Sequence, residues 1–288
     1  MVMGINSNTA SLNAQRSANA EQSSLSTSMA RLSSGLRINT AKDDAAGMAI
    51  SERMDAQVRG MNVAIRNAND GVSMTQTAEG GLATVGNMLQ RMRELAVQAV
   101  NSTNQSGDLS AMDKEYQQLA NEIGRTLKDT QFNGVSILQM TADAATFQVG
   151  ANSTQVITIG SADLNATGGA NTALGAVMID ATNTGGNAAL NIADNTANSA
   201  QIDALDAAIQ AVNEQRASLG AVQSRFDNTI SNLQSSVENQ TAAKGRIKDA
   251  DFATESANLS RSQILSQAST AMIAQANQLS QGVMSLLR

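Results

Sequence analysis

The sequence predicts a mainly α fold: a long antiparallel α-helical coiled-coil rod formed by the N- and C-terminal halves, with a small β-hairpin element and a short exposed middle segment. Three observations carry this. Apolar residues recur at seven-residue intervals along most of both halves, the spacing of a helix-to-helix seam. Proline is absent from all 288 residues, where ordinary usage would supply roughly fourteen, so nothing interrupts long helices. Four Phe, one Tyr and no Trp are too few for a thick core, whereas a seam one side chain deep needs no large rings.

In the first forty residues Leu25, Met29, Leu32 and Leu36 follow a 4-3-4 spacing, with Ala18 one heptad before Leu25 and Leu12 one heptad after Ile5. This predicts an amphipathic helix with a narrow apolar stripe. Gly35 to Gly47, with Asn39, Thr40, Asp43 and Asp44, carries stop and cap chemistry and reads as a solvated linker. From Met54 one heptad position runs through Met61, Ala68, Thr75, Leu82, Leu89 and Ala96, thickened early by Val58, Ile65 and Val72 and later by Val85, Met92 and Ala99. A helix of roughly 50 residues extends about 75 Å. Asn101 to Asp108 breaks the pattern, and Leu109 to Lys128 resumes it as a shorter helix.

Gln131 to Gly160 changes period. Asn133-Gly134 is a turn signal, and Phe147/Val149 and Ile157/Ile159 sit at two-residue spacing, so a small β-hairpin element is predicted. Ser161 to Ala200 is rich in Ala, Asn, Thr and Gly, and no Lys or Arg occurs between Lys128 and Arg216. That stretch reads as an exposed, dispensable surface segment, either a small folded domain or a loop, and Ser and Thr of residues 141–200 could accept O-linked glycans. After Ile202 the seam returns with Leu205, Val212, Leu219, Phe226 and Leu233, flanked by Ile209, Val222, Ile230 and Val237. A charged interval, Lys244 to Glu255, precedes the last helix, whose stripe is Leu265, Met272, Leu279 and Leu286 with Val283 beside it.

The order is palindromic: terminal helix, linker, long helix, β-containing middle, long helix, linker, terminal helix. Two halves folded antiparallel satisfy it. The expected division is residues 1–44 as an N-terminal core helix pairing with 252–288, 45–140 and 201–251 as the two halves of a long-helix region, and 141–200 as the hairpin and variable segment. Ser262 to Leu287 carries no charge, and twelve of its twenty-six positions are Ser, Thr, Asn or Gln. The stripe of the first helix is thus expected to supply one partner of the last within the chain. An uncharged helix can also be surrounded by copies of itself without burying unpaired ions, which cost several kcal/mol each, so the remaining partners are expected to be identical chains.

Absences narrow the chemistry. With no Cys and no His, thiol nucleophiles, thiolate metal sites, HExxH zinc centres and Ser-His-Asp triads are all excluded. No catalytic, cofactor or metal site is expected. A net charge of −6 with scattered basic residues argues against nucleic acid as a partner. Met1 to Gln15 lacks the basic and apolar regions of a secretory signal, and the polar content of the C-terminal stretch excludes a membrane span there.

Four blocks, Ser33–Ser51 (SSGLRINTAKDDAAGMAIS), Gln90–Gln98 (QRMRELAVQ), Thr130–Leu138 (TQFNGVSIL) and Ala268–Arg288 (ASTAMIAQANQLSQGVMSLLR), closely resemble bacterial flagellin. Resemblance covers nearly all of residues 1–140 and 200–288. It implies a structural subunit that polymerises into the extracellular flagellar filament, with terminal helices lining the filament core and the long-helix region forming the surrounding wall. It further implies type III export, an export chaperone, cap and hook-associated proteins as partners, and recognition by an animal Toll-like receptor. On that resemblance Gln90, Arg91, Arg93, Leu95 and Glu115 fall on the receptor motif, and Arg91 and Leu95, four residues apart, share a helix face. The alternative within the family is a hook-filament junction protein, which the intact QRMRELAVQ and C-terminal blocks disfavour. A chemoreceptor-like coiled coil would need a membrane span or sensory domain that the sequence lacks.

Overall fold

The structure, a computed structural model, describes residues 8–138, 145–160 and 195–286, with side chains in the last stretch described for 201–278. The expected middle segment therefore lies largely outside the described residues. In chain order the elements are α1 (Thr9–Ser34), α2 (Ala45–Ala99), α3 (Ser106–Asp129), β1 (Gln131–Phe132), β2 (Val135–Ser136), β3 (Ala145–Gln148), β4 (Val156–Ile159), α4 (Asn195–Lys248) and α5 (Phe252–Leu286). They group into two compact units: Met1–Val58 with Glu238–Arg288, and Arg59–Val237. The fold is mainly α.

In the unit formed by Arg59–Val237, α2 and α4 run antiparallel, since Arg93 pairs with Asp206 and Glu79 with Arg216 while Gly71 abuts Phe226. From Met61 onward the predicted α2 stripe is the buried one: Met61, Ala68, Thr75, Leu82, Leu89 and Ala96 are all buried, as are Val85, Met92 and Ala99, while Met54, Val58, Ile65 and Val72 are partly buried. Thr75 sits there at no polar cost because its hydroxyl donates to the Gly71 carbonyl at 2.7 Å. From α4 come Leu205, Val212, Leu219, Val222 and Phe226, and α3 contributes Met112, Tyr116, Ala120, Ile123 and Leu127. α3 starts where the backbone N–H of Gln105 donates to Asp108 Oδ2 at 3.2 Å.

Among the described residues the β content is two separate two-stranded antiparallel sheets, where the sequence predicted one small β-hairpin element. Asn133 (φ 51°) and Gly134 (φ 80°) are both left-handed and make the two-residue turn between β1 and β2. In the second sheet Phe147 faces Ile157, and Ile157, Ile159 and Val149 are buried. Phe147 meets Phe226 edge-on with ring centroids 5.7 Å apart. These hairpins close the apolar core of α2, α3 and α4.

In the other unit the two linkers pair with each other and are not merely solvated. Gly35, at φ 70°, ends α1 with its N–H on the Arg31 carbonyl, the usual use of glycine past a helix end. The chain then bridges Leu36 to Asp249, with Arg37 N–H donating to the Lys248 carbonyl at 2.7 Å and Ala250 N–H to the Gly35 carbonyl at 2.9 Å. Arg37 Nη2 caps the end of α4 on the Ile247 carbonyl, Ile38 is buried, and Lys244 pairs with Asp55 at 2.7 Å. Asp43 accepts from the Thr40 N–H, the Thr40 hydroxyl and the Asn39 N–H, which holds its carboxyl below the usual range. Asp44 caps α2, accepting from Gly47 N–H at 2.8 Å. The charged interval is largely helical, because α4 runs through Lys248 and only 249–251 are non-helical.

Candidate assembly surface

α1 and α5 pair antiparallel: Asn8 Nδ2 donates to the Ala276 carbonyl at 2.9 Å, Ser262 Oγ to Ser24 Oγ at 3.3 Å, and Arg31 approaches Glu255 at 3.8 Å. On α1 the shielded Ser11, Ala14, Ala18, Glu21, Leu25, Ser28 and Leu32 follow a 3-4 alternation, with Arg31 also partly shielded beside it; on α5 Glu255, Leu259, Ser262, Ser266, Ser269, Ile273 and Ala276 do the same, with Ser256 and Asn258 partly shielded beside the first of them. Both are heptad seams. They are built mostly from small residues, which let two backbones approach closely but bury little apolar area.

The α1 seam keeps the expected Leu25 and Leu32 and differs at one position, whereas the α5 seam is displaced by one residue. Ser28, not Met29, faces α5, and the α5 seam runs beside Leu265 and Met272. Met29 is 56 % exposed, Leu265 41 % and Met272 58 %, while Leu25, Leu32 and Leu36 are partly shielded. Pairing of the two large apolar stripes within one chain is thus corrected in part: Leu25 and Leu32 join Ser, Ala, Leu259 and Ile273 at the intrachain contact, while Met29, Leu265 and Met272 point outward. The side chains of Leu279, Val283 and Leu286 lie outside the described residues. Leu12, Ile50, Phe252 and Ile264 are also exposed, and the sequence reading did not single them out as a surface. One signal was available, since Ile264 and Leu265 are adjacent and two neighbours on a helix cannot both face one partner.

The buried charge at the base of this pair is matched. Glu255 is 7 % exposed and lies in the first turn of α5, Arg31 in the last turn of α1, and each sign suits its helix end.

The receptor-motif positions divide. Arg91 donates through Nε to Glu115 Oε1 and through Nη1 to Glu94 Oε2, both at 2.9 Å. Arg93 holds the Asp206 carboxylate with two donors, and Gln90 is exposed. The carboxylates hold both guanidinium groups above their ordinary pKa. Such solvent-exposed pairs are screened by water and salt and add little to stability. Leu95 does not share their exposure: it is 2 % exposed and belongs to the apolar core, so a partner docking on Arg91 meets no Leu95 side chain.

Among the described residues no helix is long and apolar enough to cross a membrane, and no group of His, Cys, Asp or Glu is arranged to hold a metal. Long helices around a narrow apolar core, with a terminal pair that leaves Met29, Leu265 and Met272 exposed, define an α-helical structural subunit. Models of the bacterial flagellin N-terminal helical region and C-terminal helical region match residues 5–143 and 202–287. The chain belongs to the flagellin family, the structural, non-enzymatic subunits of the bacterial flagellar filament. It is 47 % identical to a flagellin of Halalkalibacterium halodurans over 288 residues, 99 % of this chain and 100 % of that one. With a flagellin of Salmonella typhimurium it shares 51 % identity over 165 residues, 57 % of this chain but 33 % of that longer one. A solved structure of a putative flagellar hook-associated protein from Vibrio parahaemolyticus matches with TM-score 0.58 over 72 % of this chain and 100 % of that one. Its identity is 13 %, so that likeness is one of fold alone, and nothing here favours the hook-filament junction alternative.

Proposed function

We propose that the terminal helices are the surface on which copies of this chain polymerise into the filament, with Leu25, Met29, Leu32, Leu36, Leu265, Met272, Leu279, Val283 and Leu286 as assembly residues: Leu25 and Leu32 act through the intrachain seam, and Met29, Leu265 and Met272 face outward. The observation that carries this is the exposure of Met29, Ile264, Leu265 and Met272 beside an α1–α5 seam built mostly from small residues. Exposed apolar stripes of this kind mark interaction surfaces. Each half-exposed Leu, Ile or Met leaves about 1 kcal/mol of burial to be gained on contact, and a ring of neighbours multiplies that gain. In this reading residues 1–44 and 252–288 form the filament core, 45–140 and 201–251 the surrounding wall, and 141–200 the outer surface.

Secretion through the flagellar type III route, an export chaperone, and cap and hook-associated proteins complete the reading, which rests on family membership. Recognition by an animal Toll-like receptor would use Gln90, Arg91, Arg93 and Glu115, whose side chains are exposed, with Leu95 acting only by packing beneath them. Met272→Asp, Leu279→Asp and Leu286→Asp test the assembly surface: each monomer remains soluble with unchanged circular dichroism and forms no filaments by electron microscopy. Normal filaments from these variants would overturn the assignment. For the receptor arm, the Arg91→Ala, Glu115→Ala double variant loses monomer binding, and unaltered binding refutes it.

A further inference from the structure

Met29 and Met272 stand apart from the other methionines whose side chains are described. Met61, Met74, Met92 and Met112 are buried, Met48, Met54 and Met88 partly so, and Met29 and Met272 are more than half exposed. Each sits one position off its seam, beside Ser28 and Ile273 respectively. Their thioethers are open to solvent, and neither holds α1 against α5. The pairing of Asn8 with Ala276 places Met272 level with exposed Leu12, so the far end of the unit presents a soft apolar patch.

We propose that Met29 and Met272 are oxidation sites at which peroxide-class oxidants convert the free chain into a form that keeps its fold and cannot polymerise; this rests on the assembly surface proposed above. In the step itself the peroxide O–O bond breaks and its distal oxygen bonds to Sδ. The proton on that oxygen passes through solvent to the departing hydroxide, which leaves as water. The thioether loses two electrons and the peroxide gains them. The product, methionine sulfoxide, replaces a flexible apolar side chain with a strongly dipolar acceptor. Against a neighbouring copy that acceptor is buried without a donor. In the monomer it remains in water, so nothing in the fold opposes it.

The selectivity follows from exposure. Methionines of the other unit's core are shielded by α2, α3 and α4 and react only on opening, whereas Met29 and Met272 react in the closed chain. Once a filament forms, the same two thioethers are covered and oxidation slows.

The test uses purified full-length monomer and polymer treated with dilute hydrogen peroxide, followed by peptide mass spectrometry, circular dichroism and electron microscopy. Expected are preferential oxidation of Met29 and Met272 over the buried methionines in the monomer, protection of both in filaments, and unchanged helicity. Polymerisation of oxidised monomer should fall on the order of tenfold per sulfoxide and return after treatment with methionine sulfoxide reductases, a measurement that needs no variant. The Met29→Leu, Met272→Leu chain should polymerise equally well before and after peroxide. Wild-type monomer oxidised at both positions yet polymerising normally would overturn the proposal, as would equal loss of polymerisation in the Leu variant. Failure of untreated wild-type chain to polymerise, or full reactivity of both methionines inside filaments, strikes the assembly surface itself and is read separately from these outcomes.

Discussion

Alanine at two glycines of the same helix should change stability in opposite directions. Gly71 and Gly80 both lie inside α2, where helix propensity alone favours alanine by about 1 kcal/mol. At Gly80 a new Cβ would have nothing within 4 Å, so the full gain is expected. At Gly71 it would stand 2.6 Å from Phe226 Cζ and 2.9 Å from Cε1, and that ring is fully buried and braced edge-on by Phe147. Forcing a methyl into such a site costs about 1–3 kcal/mol, which leaves Gly71→Ala destabilising by up to about 2 kcal/mol after the propensity gain. The two variants should therefore differ by roughly 1–3 kcal/mol. Urea denaturation of the monomer measures this. With one Tyr and no Trp in the chain, intrinsic fluorescence reports on Tyr116 and hence on the unit that contains both glycines. Adding Phe226→Leu to Gly71→Ala should recover part of the loss by making room, a coupling that a double-mutant cycle isolates. Equal stabilisation by the two alanines would refute the close packing of α4 on α2 at this point.

Three further outcomes follow from single features. Burial pushes the Tyr116 phenol up to about 12, with Asp113's charge adding and the hydrogen bond from Gln201 opposing; because the folded pKa exceeds the unfolded one, its contribution is intact below pH 10 and is lost as pH rises through about 12, an alkaline loss that Tyr116→Phe should lack when phenolate absorbance and unfolding are followed together. Asp44→Ala removes the acceptor for Gly47 N–H at the start of α2 and should cost about 0.5–2 kcal/mol, read as a lowered denaturation midpoint, with Asp44→Asn largely retaining the cap. Gly134→Ala meets no atom within 4 Å but must hold φ near 80°, so it should destabilise by about 1–2 kcal/mol through backbone strain alone, and an unchanged midpoint would mean the turn is not left-handed in solution.

The long helices were legible because their signal is redundant: α2 repeats one heptad position from Met61 to Ala96, and every member is buried. The turn at Asn133-Gly134 was legible because few dipeptides adopt two left-handed residues in succession. The terminal seam was misread for a physical reason. Apolar spacing finds the largest side chains, and in α1 and α5 only some of those, Leu25 and Leu32 among them, lie at the intrachain contact; the deeply buried positions there include Ser11, Ser28 and Ser262, which hydropathy scarcely registers. Leu95 illustrates the same limit, since its spacing from Arg91 gives the face but not the depth of the neighbouring α3. Nor could composition foresee that the two polar linkers would satisfy each other's backbone groups, because that pairing joins positions more than two hundred residues apart.

The two units differ in how the chain must be threaded to complete them. Residues 59–237 are a single continuous stretch, whereas the other unit joins both ends, with Asn8 meeting Ala276 across a separation of 268 residues. The entropy of closing so large a ring grows only logarithmically, by about 0.6 kcal/mol per doubling, and once Gly71 is seated against Phe226 the open ring is less than half as long. Contacts inside the continuous unit therefore shorten the loop that the discontinuous one has to close.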